Sequence, residues 1–99
     1  MNVISPARPK RASPIDLSRT FIRRTDLSGA SLVGANLSYA DCSNVNFRGA
    51  DFRDANLEGT ILRGADMTGA MNLTRQQIRM AVIDDRTVLP VGLIVAGEG

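Results

Sequence analysis

The stretch from Ala30 to Ala70 reads ASLVG ANLSY ADCSN VNFRG ADFRD ANLEG TILRG ADMTG A, and its apolar residues decide the fold. A sizeable apolar side chain stands at every fifth position: Leu32, Leu37, Cys42, Phe47, Phe52, Leu57, Leu62 and Met67. The series runs backwards through Leu27 and Ile22 to Leu17. Two residues before each comes a small or short side chain: Thr20, Thr25, Ala30, Ala35, Ala40, Val45, Ala50, Ala55, Thr60 and Ala65, with Ile15 opening the row. Five is neither the 3.6-residue period of a helix nor the two-residue period of a strand. A chain that returns to its axis every five residues is a coiled repeat, in which each unit sends two side chains inward and three outward. The small inward residue lets neighbouring sides approach, the large one fills the axis, and stacked coils pair their backbones at roughly 4.8 Å per rung.

Working outward, the chain divides into an N-terminal basic, Pro-rich arm (1–14), the repeat body (15–73), and a C-terminal region (74–99) expected to hold a capping helix and an apolar tail. With 99 residues there is room for one domain. The net charge of +2 is unevenly spread. The arm carries Arg8, Lys10 and Arg11 with no acid, the body has six Arg against seven acids, and the C-terminal region is balanced. The arm is expected to be flexible, disordered or extended, since Val3 and Ile4 are its only sizeable apolar groups. Cys42 is the single cysteine, so its place in the apolar row reads as a buried thiol in a reducing compartment. The N-terminus lacks the apolar run of a signal peptide, and the longest apolar stretch, Val88 to Gly97, holds Pro90 and is too short to span a bilayer. The expected location is therefore the cytoplasm.

The units beginning at Ala30, Ala35, Ala50, Ala55 and Ala65 each follow Ala with Ser, Asp or Asn and then Leu, Phe or Met. This resembles the A-(D/N)-(L/F)-x-x signature of pentapeptide-repeat proteins. The resemblance implies an all-β solenoid: a right-handed quadrilateral β-helix, four units per turn, of a little under three coils with a C-terminal capping α-helix. Residues twenty apart then share a column. The outward columns read Asp16, Asn36, Asn56; Phe21, Asp41, Ile61; Asp26, Asn46, Asp66; and Ser31, Asp51, Met71. Their Asp and Asn are expected to serve local turns rather than chemistry. Phe21 and Ile61 depart from the motif in one column: either that side is an apolar contact surface, or the first unit is distorted and Phe21 turns inward. The reading favoured here is distortion at Phe21 and ordinary exposure at Ile61. Arg23 and Arg63 lie in the adjoining column, and Arg19 and Arg24 flank it. Together with Ile61 they form a modest basic patch, the candidate partner-binding residues.

Past the repeats, Leu73-Thr74-Arg75-Gln76-Gln77-Ile78 is a helix start, with Thr74 and Gln77 as a capping box and Leu73 stapled to Ile78. Ile78, Ala81 and Val82 share the face expected to close the last coil. The other end shows no cap, which leaves the first coil to the arm, a second copy or a partner. The tail residues Val88, Leu89, Val91, Leu93, Ile94 and Val95 are too apolar for water and are expected to cover the helix or to join a homodimer interface.

The chain has no His, and one thiol without His builds neither a catalytic pair nor a zinc site. Asp84 and Asp85 suit a helix-terminal turn, and the glycines fall at turn positions with no phosphate-cradling loop. No cofactor or metal is expected, and an enzyme is not. The leading expectation is a non-catalytic scaffold or protein-interaction module with an unidentified protein partner. One alternative is a DNA-mimicking binder of type II topoisomerases such as gyrase, a role known within the resembled family. A body charge of −1 over so few coils argues against it, because a duplex carries a charge about every 1.7 Å. A second alternative is weak binding of nucleic acid or an acidic partner through the arm, with no aromatic platform for bases.

Overall fold

The computed structural model describes residues 14–93. As far as Asn72 the chain winds in coils of twenty residues, each with four sides. Parallel bridges stack Asp16 on Asn36 on Asn56; Phe21 on Asp41 on Ile61; Asp26 on Asn46 on Asp66; and Ser31 on Asp51 on Met71. No side grows into a longer strand, because a five-residue unit has room for one bridged residue, one inward residue and a corner. The pairing is nonetheless dense. The inward Leu37 N–H donates to the Asn56 carbonyl (2.9 Å), the corner Tyr39 N–H to Glu58 (2.8 Å), and the outward Asn56 N–H reaches back to Ala35 (2.9 Å). Ala40 N–H then closes the corner onto Leu37 at 3.0 Å.

The corner residue of each unit, from Arg19 to Gly69, is left-handed, with φ between +58° and +71°. Glycine takes this conformation without strain, and Asn or Asp with less than most residues. The outward Asp and Asn columns hold the same corners. The Oδ1 of Asp16, Asp26, Asn36 and Asp66 accepts both the backbone N–H and the hydroxyl of the Ser or Thr two residues on, at 2.6–3.0 Å. These side chains are Asx turns, as the sequence indicates.

The axis is filled by Leu32, Leu37, Cys42, Phe47, Phe52, Leu57, Leu62 and Met67, all buried. The Phe47 and Phe52 rings meet edge to face with centroids 5.1 Å apart. Burying a Leu or Phe side chain contributes roughly 1.5–3 kcal/mol, so the thin column is the main source of stability. Leu17, Ile22 and Leu27 occupy the same row but are only half-buried, since the first coil has a neighbour on one side alone. Among the small inward residues, Thr60 is fully buried with its hydroxyl donating to the Leu37 carbonyl at 2.7 Å.

The coil ends at Asn72, whose left-handed corner arrives out of step with the five-residue beat. The chain then enters helix α1, Arg75–Met80, capped by Thr74 and Gln77 in a reciprocal box. Leu73 and Ile78 are both buried against the core. Beyond α1 the chain resumes stacking on the third coil. Val82 bridges Ile61 and Val88 bridges Asp66, with Leu62 N–H donating to Val82 (2.7 Å) and Met67 N–H to Val88 (2.8 Å). Thr87 donates its hydroxyl to the Leu62 carbonyl at 2.7 Å. Leu89 and Leu93 pack on the core, whereas Val88 and Val91 are exposed. Ile94 and Val95 lie outside the described residues, as does the arm apart from Pro14.

Candidate protein-interaction face

The column through Phe21, Asp41 and Ile61 gains a fourth member, Val82, and becomes the most heterogeneous face of the molecule. Phe21 does not turn inward, contrary to the distortion expected from sequence. It bridges Asp41 in register and is 77% exposed, because an outward position in an undistorted coil points at solvent whatever residue fills it. Ile61 is not fully exposed either; Val82 covers part of it, leaving it half-buried.

Charge is organised around Asp41. Its Oδ2 lies 3.0 Å from Arg23 Nε, and its Oδ1 accepts the Ser43 hydroxyl (2.6 Å) and the Ser43 N–H (3.1 Å). The Ser43 hydroxyl holds this carboxyl below the usual range against partial burial, helped by the Ser43 amide and by Arg23 and Arg63. Arg23 also reaches over the Phe21 ring, its guanidinium 5.4 Å from the centroid. At one corner Arg19 lies 4.9 Å from the Tyr39 ring centre, and the Tyr39 phenol donates to Glu58 at 3.0 Å, which raises the phenol pKa. The next residues up that corner are Gly59 and then Met80, whose carbonyl accepts the Gly59 N–H at 2.8 Å.

The structure thus brings Arg19, Arg23, Ile61 and Arg63 together on one side, with Arg24 at its far corner, and adds residues that the period of five did not reveal. Tyr39 (47% exposed), Met80 (45%) and Ile83 (37%) border the same face. Tyr39 was legible as a corner residue, and its size was the available signal. Met80 and Ile83 were not, because they meet the stack at and beyond the end of the helix, where the register has shifted.

Elsewhere the polar groups are committed to structure. Cys42 is buried, and burial with the nearby Asp41 charge pushes its thiol up to about 12, so it is protonated at neutral pH. Asp84 Oδ1 accepts from the Gly64 and Arg86 amides and the Thr87 hydroxyl, a turn role. No group of three His, Cys, Asp or Glu able to hold a metal occurs among the described residues. A depression of about 680 Å³ lies where the third coil is left unfinished, between Arg53, Asp54 and Ala55 on one side and Asn72, Leu73, Thr74 and Gln77 on the other. Among the described residues no helix is long and apolar enough to cross a membrane.

The sequence profile described as Pentapeptide repeats matches in 8 copies over residues 15–41 and 30–69, and the chain belongs to the pentapeptide-repeat family. Proteins of that family fold as right-handed quadrilateral β-helices, and this chain has parallel bridges between residues twenty apart. Among solved structures, the pentapeptide repeat protein Rfr23 from the cyanobacterium Cyanothece 51142 is 32% identical with a TM-score of 0.68, covering 78% of this chain and 52% of its own. This chain therefore spans about half the length of that relative. The pentapeptide repeat protein alr5209 from Nostoc Pcc 7120 is 26% identical (TM-score 0.36, 82% and 78% covered). The thylakoid-lumen pentapeptide repeat protein AT2G44920 from Arabidopsis thaliana is 25% identical (TM-score 0.29, 63% and 53% covered). No curated protein matches the chain.

Proposed function

We propose that this β-helix is a non-catalytic protein-interaction module and that the Phe21–Asp41–Ile61–Val82 side is its contact face. The observation that carries the reading is the exposed Phe21, set in register beside Arg23 on a side bordered by Tyr39 and Met80. Aromatic, Met and Arg side chains are the types enriched at the centres of protein interfaces. A coil whose backbone is already fixed by the inter-coil ladder presents them without backbone ordering cost, leaving only their side-chain freedom to be lost. The partner that fits is a protein surface with an apolar pocket for Phe21 and carboxylates for Arg19 and Arg63.

The acid columns do not support the duplex-mimic alternative: Asp41 and Asp66 are each paired with an Arg, at 3.0 Å and 3.1 Å. Photo-crosslinking residues placed at Ile61 and at Asn56, on the neighbouring side, test the proposal in cells. Ile61 is expected to trap a defined protein, Asn56 not, and Phe21→Ser with Arg63→Glu to abolish the product. Equal yields from both positions, or a product indifferent to those substitutions, would refute it.

A further inference from the structure

Along residues 20–24 the contact face meets an open backbone edge. One coil on, the same edge is paired: the Asp41 N–H donates to the Thr20 carbonyl (2.8 Å), and the Asp41 and Ser43 carbonyls accept from the Ile22 (2.8 Å) and Arg24 (3.0 Å) amides. In the first coil the corresponding groups are the Phe21 N–H and the Phe21 and Arg23 carbonyls. Among the described residues the Phe21 N–H and carbonyl have no backbone partner, and the Arg23 carbonyl accepts only the Thr25 hydroxyl, at 3.4 Å. The inward row agrees, for Ile22 is half-buried where Cys42, one coil on, is fully buried. One strand laid along this edge gains backbone bonds and covers Ile22 at once.

The side chains beside the edge state what that strand should carry. The Phe21 ring is 77% exposed, so an outward residue stacked on it gains by being apolar. Ile22 asks the same of the inward residue that follows. Arg19 and Arg24 stand at the two corners with Arg23 between them, against one carboxylate, Asp41, that Arg23 holds at 3.0 Å. Arg19 leans on the Tyr39 ring, and Arg24 has no ion-pair partner among the described residues. This local excess of positive charge favours an acidic strand. The other three sides of the first coil present Asp16, Asp26 and Ser31 where this one presents Phe21. A second copy meeting the edge with its own N-terminal rim fits worse. Each side of a coil turns two carbonyls and one N–H that way, so two rims set acceptor against acceptor.

We propose that the 20–24 side of the first coil takes up an extended acidic segment of the partner protein as an added parallel strand, with adjacent apolar residues over Phe21 and Ile22 and acidic residues beyond them toward Arg24. This rests on the contact face proposed above and names the form in which the partner meets it. The bonds follow the pattern one coil on. The carbonyl before the outward apolar residue accepts the Phe21 N–H, and the amide of the inward apolar residue donates to the Phe21 carbonyl. The amide two residues further donates to the Arg23 carbonyl. The amide of the outward apolar residue points away from the coil and is left free.

A capped synthetic peptide, alanine-leucine-valine-glutamate-glutamate, titrated into the full chain and followed by NMR and amide hydrogen exchange, tests this. At saturation the Phe21 amide is expected to exchange at least about tenfold more slowly, with the Asp26 and Ser31 amides unchanged. Methylating the valine amide nitrogen is expected to weaken binding about tenfold, and methylating that of leucine to leave it within about twofold. Arg24→Glu and Phe21→Ser are each expected to weaken it about fivefold or more, with the Leu37 and Cys42 amides unshifted as the sign of an intact coil. Absence of saturable binding, no slowing at Phe21, or equal losses from the two methylated peptides would each overturn the proposal. So would a Phe21 amide already slow in the free chain, the mark of a cover from the chain itself or, where the slowing grows with protein concentration, of a second copy. A specific crosslink at Ile61 alongside any of these outcomes retains the contact face and removes the added strand alone.

Discussion

Gly59 shows how a single position serves both conformation and packing. Its φ is +66°, and a Cβ there would collide with the Tyr39 ring lying across it, whereas a Cβ on Gly29, at φ +70°, meets nothing within 4 Å. Gly29→Ala therefore carries backbone strain alone, about 1 kcal/mol. Gly59→Ala adds displacement of the ring, for a total of at least about 2 kcal/mol. Urea titration is expected to show this gap, and Tyr39→Ala to close it. A pH dependence follows from Asp41, whose folded pKa lies below its ordinary 3.8. A carboxylate with a depressed folded pKa contributes stability in full above the unfolded value and loses it as pH falls through the folded one. The melting midpoint is expected to be flat near neutrality and to drop below about pH 4. Asp41→Asn, which keeps the turn acceptor but not the Arg23 pair, is expected to soften that drop in an acid melting series. The inward row and the turn role of the Asp and Asn columns were legible because both repeat. The exposed Phe21 was misread because the motif alone does not tell a distorted unit from a regular unit carrying an unusual side chain.

Helix α1 has six residues, too few to be stable on its own in water. It is held by Leu73 and Ile78 in the core and by Gln77. The Gln77 Oε1 accepts the Thr74 N–H at 2.7 Å, and its Nε2 donates to the Phe52 and Ala55 carbonyls at 2.9 and 3.0 Å. One amide thus caps the helix and bonds the carbonyls where the broken coil stops. Gln77→Glu keeps the acceptor, removes both donors and sets a charge beside two carbonyls. It is expected to cost about 2 kcal/mol, on the scale of a buried acceptor left unpaired. An equilibrium denaturation midpoint equal to wild type would contradict this role. The capping box was legible from Thr74 and Gln77 three residues apart. The second role was not, since its carbonyls lie 25 and 22 residues away. The return of the tail to the stack was hidden for a related reason: the spacing of twenty becomes 21 from Ile61 to Val82 and 22 from Asp66 to Val88.

At the scale of the molecule, the two ends of the coil differ. Among the described residues the C-terminal end is finished by α1, Val82 and Val88, and the N-terminal end leaves Leu17, Ile22 and Leu27 half-covered. One finished end is enough to keep a solenoid from growing into a filament, since only an uncovered coil at each end would template endless addition. The period of five predicts which residues line the axis. It carries no information on which of them have neighbours on both sides, a property set by position along the stack. The central claim is that residues about twenty apart are hydrogen-bonded neighbours in a continuous ladder. Scalar couplings across hydrogen bonds, measured by NMR on labelled protein, test it directly. The account predicts couplings from the Leu37, Cys42 and Phe47 amide nitrogens to the carbonyl carbons of Asn56, Ile61 and Asp66, each nineteen residues on. Couplings instead to carbonyls four residues back, or across short antiparallel hairpins, would contradict it.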